Sequence, residues 1–121
     1  MSGTNNYLPK KGDVVLINFN PSTGHEINKY RPALVVSNQK YARLTGLALV
    51  CPITHAESNR LLDSGLLIAI DAKKVNGYIN PLQFHTFDFN RRDMKFLERA
   101  SSKNLTQVIQ TINDIVNARE E

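Results

Sequence analysis

Gly24-His25-Glu26-Ile27-Asn28-Lys29-Tyr30-Arg31-Pro32-Ala33-Leu34-Val35-Val36-Ser37 joins a polar, glycine-led loop crowded with titratable groups to a run that reads as a buried strand. Arg31 stands at the junction. Pro32 behind it biases the Arg31 backbone toward an extended conformation, because the proline ring clashes with a helical predecessor. A loop bearing His, Glu and Arg, braced on a rigid strand, is one way to hold a reactive constellation still. A surface hairpin loop with solvated charges is the other reading of the same residues.

Outward from that stretch the chain reads as short strands. Val14 to Phe19 is β-branched and almost continuously apolar, and Asn20-Pro21-Ser22-Thr23-Gly24 ends it with turn chemistry. The second strand is Ala33 to Val36. Asn38 to Thr45 is a polar link, with Tyr41 and Leu44 spaced for one helical turn at most, and Gly46 precedes a third strand, Leu47 to Cys51, closed by Pro52-Ile53-Thr54. A polar loop covers His55 to Ser64, and Leu66 to Ile70 is a fourth strand. Asn76-Gly77 signals a turn, and Tyr78 to Phe89 is extended with an interruption at Pro81. Phe96-Leu97 is a short last strand. Ser101 or Ser102 suits an N-cap, and Leu105, Val108, Ile109, Ile112, Ile115 and Val116 recur at helical spacing. Five or six strands and one closing amphipathic helix predict a mainly β (α+β) fold, a small half-open β-barrel with the helix packed on it.

The 121 residues suffice for one domain, read as residues 11–118 behind a loose N-terminal arm, 1–10. A hydrophobic content of 41% argues against disorder. Fifteen Lys and Arg against eleven Asp and Glu leave +4, a balance that fits a polyanionic partner. Cys51, the single cysteine, lies in the apolar run Leu47 to Pro52 and reads as a buried, inert thiol. Met1 to Lys11 is polar and unlike a signal peptide, and no apolar run approaches about 18 residues, so a soluble, cytoplasmic protein away from membranes is expected.

Missing motifs narrow the chemistry. The six glycines are scattered rather than gathered in a phosphate loop, and His25, His55 and His85 lie thirty residues apart on separate segments. What remains is Arg, Glu, His and Thr near two loops, a set suited to phosphate chemistry without a metal or other cofactor. Lys11-Gly12-Asp13-Val14-Val15, Asn20-Pro21, Gly24-His25-Glu26, Arg31 to Ser37 and Cys51-Pro52-Ile53-Thr54 stand in order across residues 10–118. In that order and spacing they resemble the MazF/PemK family of toxin endoribonucleases.

That resemblance implies a barrel of the CcdB/PemK type with SH3-like strands, a homodimer, and metal-independent, sequence-selective cleavage of single-stranded RNA. It also implies inhibition by a cognate antitoxin, a largely disordered acidic segment that orders on binding. Arg31 falls on the family's catalytic arginine before proline, and Thr54 on the threonine of Pro-x-Thr. Glu26 and His25 fall on the Gly-His-Glu loop, either one a candidate for taking the ribose 2′-OH proton. Asn20, Lys29, Tyr30, His55, Asn59, Arg60 and Gln83 are the expected RNA contacts. The chain departs from the family where Leu82 replaces an acid and Asn80 an arginine, so acid-base work has to come from the Arg31 side. Arg31 offers a charged fork matched to phosphate oxygens. Two other functions suit the same barrel: a CcdB-like toxin that binds gyrase, and an RNA-binding module without catalysis.

Overall fold

The computed structural model describes residues 6–19, 30–55 and 65–120. Val14 and Val15 are neighbours in the chain and both fully buried, yet each belongs to a different apolar cluster. Successive side chains of a strand point to opposite faces, so this pair shows a sheet covered on both sides.

Seven strands lie among the described residues: β1 (Asp13–Asn18), β2 (Tyr30–Val35), β3 (Leu47–Thr54), β4 (Ile68–Ala69), β5 (Tyr78–Ile79), β6 (His85–Asp88) and β7 (Lys95–Arg99). With them come α1 (Gln39–Thr45) and α2 (Ser102–Asn117). The strand order is β4-β5-β3-β2-β1-β7, with β6 also pairing β3, and all recorded pairs are antiparallel. The result is a curled half-barrel. One cluster gathers Val15, Ile17, Ala33, Val35, Ala48 and Val50 with Ala42, Phe89 and Met94. The opposite cluster gathers Val14, Leu34, Cys51, Ile53 and Ile79 with Val108, against which Leu105, Ile109 and Ile112 of α2 pack.

Helix α2 starts where Ser101 caps it, its hydroxyl accepting the Asn104 N–H at 3.1 Å. Buried Asn104 fastens the helix to the sheet: its side-chain amide donates to the Ala69 carbonyl at 3.2 Å, and its oxygen accepts the Asp71 N–H at 2.7 Å. The apolar stripe outruns the sheet, leaving Ile115 and Val116 exposed.

Several boundaries differ from the sequence reading, each for a physical reason. The expected polar link is a two-turn helix, because Asn38 accepts the Tyr41 N–H and Gly46 closes the far end with φ +75°. The third strand continues through Pro52 to Thr54. The Asn80 N–H donates to the Pro52 carbonyl, so the Pro52 nitrogen faces the side where β6 gives way to β5 and no ladder donor is stranded. The fourth strand shrinks to Ile68–Ala69, and the long extended stretch divides into β5 and β6 about the turn at Pro81. The last strand is longer than Phe96-Leu97, with a bulge where its register against β1 shifts. Of the expected loose arm, residues 6–10 dock on the barrel. Pro9 is buried, Leu8 packs on the first cluster, and the Tyr7 hydroxyl donates to Asp13, which also pairs with Arg99 at 2.7 Å.

Cys51 is fully buried, and burial pushes its thiol up to about 12 from an ordinary 9.0. A thiol whose folded pKa is raised stabilises the fold below pH 9, and that contribution is lost as pH climbs toward 12. Native protein is therefore expected to resist iodoacetamide at pH 8 while urea-unfolded protein reacts. The loss of stability above pH 9, followed by urea titration, should be shallower in Cys51→Ala. Rapid labelling of folded protein would contradict this burial.

Candidate active site

Register carries Arg31 to its place. Ile17 pairs with Arg31 and Val15 with Ala33 across β1 and β2, and Ala33 pairs with Pro52 across β2 and β3. Directly opposed residues share a face, so Arg31, two residues before Ala33, and Thr54, two residues after Pro52, project from the same side. Continuing the register by two residues on each strand sets Arg31 opposite Thr54.

A cleft of about 560 Å³ lies at this edge. Tyr30, Arg31 and Pro32 line one side and Pro52, Ile53, Thr54 and His55 the other, with Phe19, Asn80 and Gln83 completing the wall. The pairing of β2 with β3 ends beside it for a covalent reason. The Val36 N–H donates to the Leu49 carbonyl, so alternate residues Leu34 and Pro32 also turn their backbone groups toward β3. The next donor due in that ladder belongs to Pro32, which has none.

The described lining of the cleft is cationic. Arg31 is exposed, and among the described residues no hydrogen bond or ion pair engages its guanidinium. No Asp or Glu belongs to the described lining. Tyr30 is held from behind, its hydroxyl donating to Asp93 at 2.5 Å, while Lys95 pairs with Asp93 at 3.5 Å and stands 5.3 Å from the Tyr30 ring centre. The hydrogen bond to Asp93 first, then burial, raises the Tyr30 phenol above its ordinary value and keeps it protonated. Asn80 is buried and committed to its own turn, its oxygen accepting the Leu82 N–H at 3.0 Å. It forms part of the wall.

Of the sequence-predicted site residues, Arg31, Thr54, Tyr30, His55 and Gln83 come together on this one cleft. Asn20, His25, Glu26, Lys29, Asn59 and Arg60 lie outside the described residues. The sequence reading missed Phe19 and Pro52 as wall residues; alternation from Val15 and Ile17 to Phe19 was the available signal for the first. Among the described residues no group of three or more His, Cys, Asp or Glu is placed to hold a metal ion, and no helix is long and apolar enough to cross a membrane.

Fold and site together define a small half-barrel domain with an arginine-bearing cleft at its open edge, its described lining free of acids. Residues 10–116 match the family described as PemK-like, MazF-like toxin of type II toxin-antitoxin system, and the chain belongs to that family. The endoribonuclease PemK of Escherichia coli is 28% identical over 109 residues, covering 88% of this chain and 81% of the relative. The endoribonuclease toxin ChpB of Escherichia coli (strain K12) is 30% identical over 110 residues, covering 88% and 93%. A MazE-MazF crystal structure (Form-III) from Deinococcus radiodurans superposes with a TM-score of 0.79 at 26% identity, covering 93% of this chain and 100% of that one. A MazF structure (Form-I) from the same organism gives 0.75 at 29% identity, covering 92% and 98%.

Gly77 sets how closely β5 approaches the Thr54 end of β3. Its φ is +131°, and a Cβ there would stand 2.5 Å from the Thr54 carbonyl oxygen. Gly77→Ala is expected to force the two strands apart and to lower stability by about 2 kcal/mol, measured by urea unfolding. Wild-type stability in that variant would show that the close approach is not needed.

Proposed function

We propose that this toxin is a metal-independent, sequence-selective endoribonuclease that cuts single-stranded RNA. The observation that carries the reading is the meeting of Arg31 and Thr54 on one face of one cleft, at two strand ends. Relatives that align over most of their length, PemK and ChpB, carry the name endoribonuclease.

The 2′-oxygen of a ribose bonds to the adjacent phosphorus while its proton passes to Glu26 or His25. The bond from phosphorus to the 5′-oxygen breaks, and that oxygen takes up a proton from the acid-base groups on the Arg31 side. The products are a 2′,3′-cyclic phosphate and a 5′-OH. DNA lacks the nucleophile, so the reaction is selective for RNA. Arg31 meets the charge that develops on the phosphorane oxygens, and Thr54 donates a further hydrogen bond. Tyr30, Gln83 and His55 contact flanking nucleotides, together with Asn20, Lys29, Asn59 and Arg60. The substrate lies in a groove shared by two subunits. Its competitor is a disordered acidic segment of a cognate antitoxin, and several structural neighbours were solved as MazE-MazF complexes. The setting is the cytoplasm.

The test is incubation with a long single-stranded RNA in EDTA. Discrete fragments ending in cyclic phosphate are expected, and Arg31→Ala should lose at least about a hundredfold in rate while keeping its thermal unfolding profile. Arg31→Lys keeps the charge but not the fork and should also be severely slowed. Intact RNA with a gel shift would mean binding without catalysis; no cleavage and no shift, with growth arrest in cells, would mean a protein target.

A further inference from the structure

The face that carries Arg31 and Thr54 does not stop at the cleft. Val50 pairs with His85 and Ala48 with Phe87 across β3 and β6, so both rings project from the side of the sheet that Thr54 occupies. His85 is opposite a residue four positions along β3 from Thr54, about 13 Å at the usual strand rise. Here a second groove of about 390 Å³ opens, lined by His85, Phe87, Asp88, Arg91 and Arg92.

Phe19 joins the two hollows. It belongs to the wall of the first, and its ring meets Phe87 edge-on at 5.3 Å. Arg92 locks this junction, donating to the Phe19 carbonyl at 2.7 Å with its guanidinium carbon 4.9 Å from the Phe87 ring centre. That commitment makes Arg92 a positioning residue. His85 rests on the same ring, its centroid 5.4 Å away and the planes tilted by 36°, with the outer side exposed to solvent. Arg91 is exposed beside it. Asp88 contributes a negative charge, but its Oδ1 accepts the N–H groups of Asn90 and Arg91 at 3.1 and 3.0 Å. The groove thus holds two arginines against one turn-bound carboxylate.

We propose that this groove is a nucleotide-binding subsite that extends the RNA track beyond the cut. A flanking base stacks on His85, backed by Phe87, and its phosphate meets Arg91. An aromatic shelf beside a free cation is the arrangement that holds single-stranded nucleic acid with little sequence readout. This inference rests on the endoribonuclease reading of the neighbouring cleft.

Fully 2′-O-methylated RNA lacks the free 2′-OH and cannot be cut, so it reports binding alone. Mixed-sequence fluorescent oligonucleotides of about twelve and about four nucleotides are titrated by anisotropy with the full chain. In His85→Ala the ratio of long to short affinity should fall about tenfold, and His85→Phe should restore it. Arg91→Gln should reduce the salt dependence of long-oligonucleotide binding by about 0.7 in log–log slope, one phosphate contact. An unchanged ratio in His85→Ala, with RNA still cleaved at the Arg31 site, would overturn the subsite and leave the enzyme reading intact. Loss of self-association in His85→Ala without any change in RNA affinity would assign the face to protein contact instead. A wild-type chain that neither cuts nor binds RNA would overturn both readings.

Discussion

The row Val35, Ala33, Arg31 runs along one face of β2, and two of its members are fully buried. Their burial makes the strand's register costly to change. A slip of one residue would send Val35, Ala33 and Arg31 together to the opposite face, which α2 covers, emptying their places in the first cluster and burying a charge in the second. Removing a Val-sized side chain from water is worth roughly 1.5–3 kcal/mol, and Ile17, Val15 and Val50 lock the same register from both neighbouring strands. The position of an exposed guanidinium is therefore decided by apolar packing two and four residues away. That is why a charged side chain with no described partner can still be aimed.

Two prolines and a glycine turn this rigid row into an opening. Pro32 withholds the donor that would have carried the β2–β3 ladder outward, and Pro52 sits where β3 exchanges β6 for β5. Gly77 then lets β5 come close enough to steady the Thr54 end. The packed sheet and the open cleft are consequently adjacent parts of the same two strands. Backbone chemistry marks the boundary between them.

Much of this was legible in the sequence, and the parts that were not share a cause. The β-branched runs and the Leu105-to-Ile112 stripe announce their elements because burial acts on side chains one period at a time. Arg31 stood out because it opens such a run beside a loop of titratable groups, and its catalytic role and that of Thr54 came from the resemblance to the family's Arg-Pro and Pro-x-Thr. The β-strand alternation that brings them to one face is a pairing property, invisible until Ala33 is matched with Pro52. Pro52 looked like a terminator because a missing donor usually is one; only the side its nitrogen faces reverses that. The helix α1 is faint in the sequence because its apolar content is low, and its signal lies in its two caps, Asn38 and Gly46. Asn80 illustrates the opposite limit. Its loss of charge could be read, but its commitment to the Leu82 turn could not, since that depends on where the chain crosses Pro52.

Four carboxylates among the described residues are committed away from the cleft. Asp13 is held by Tyr7, the Lys10 N–H and Arg99; Asp93 by Tyr30 and Lys95; Glu98 accepts the backbone N–H groups of Lys73 and Lys74; Asp88 caps its own turn. Each serves a local hydrogen-bonding need, and none is among the residues lining the Arg31 cleft. A net charge of +4 would be a weak attraction for a polyanion if acids and bases were evenly mixed over the surface. Tying these four acids into turns and strand ends leaves Arg31 with no acidic partner among the described residues, so part of that modest excess faces this opening. Among the described residues, an anionic chain meets the least opposition beside Arg31.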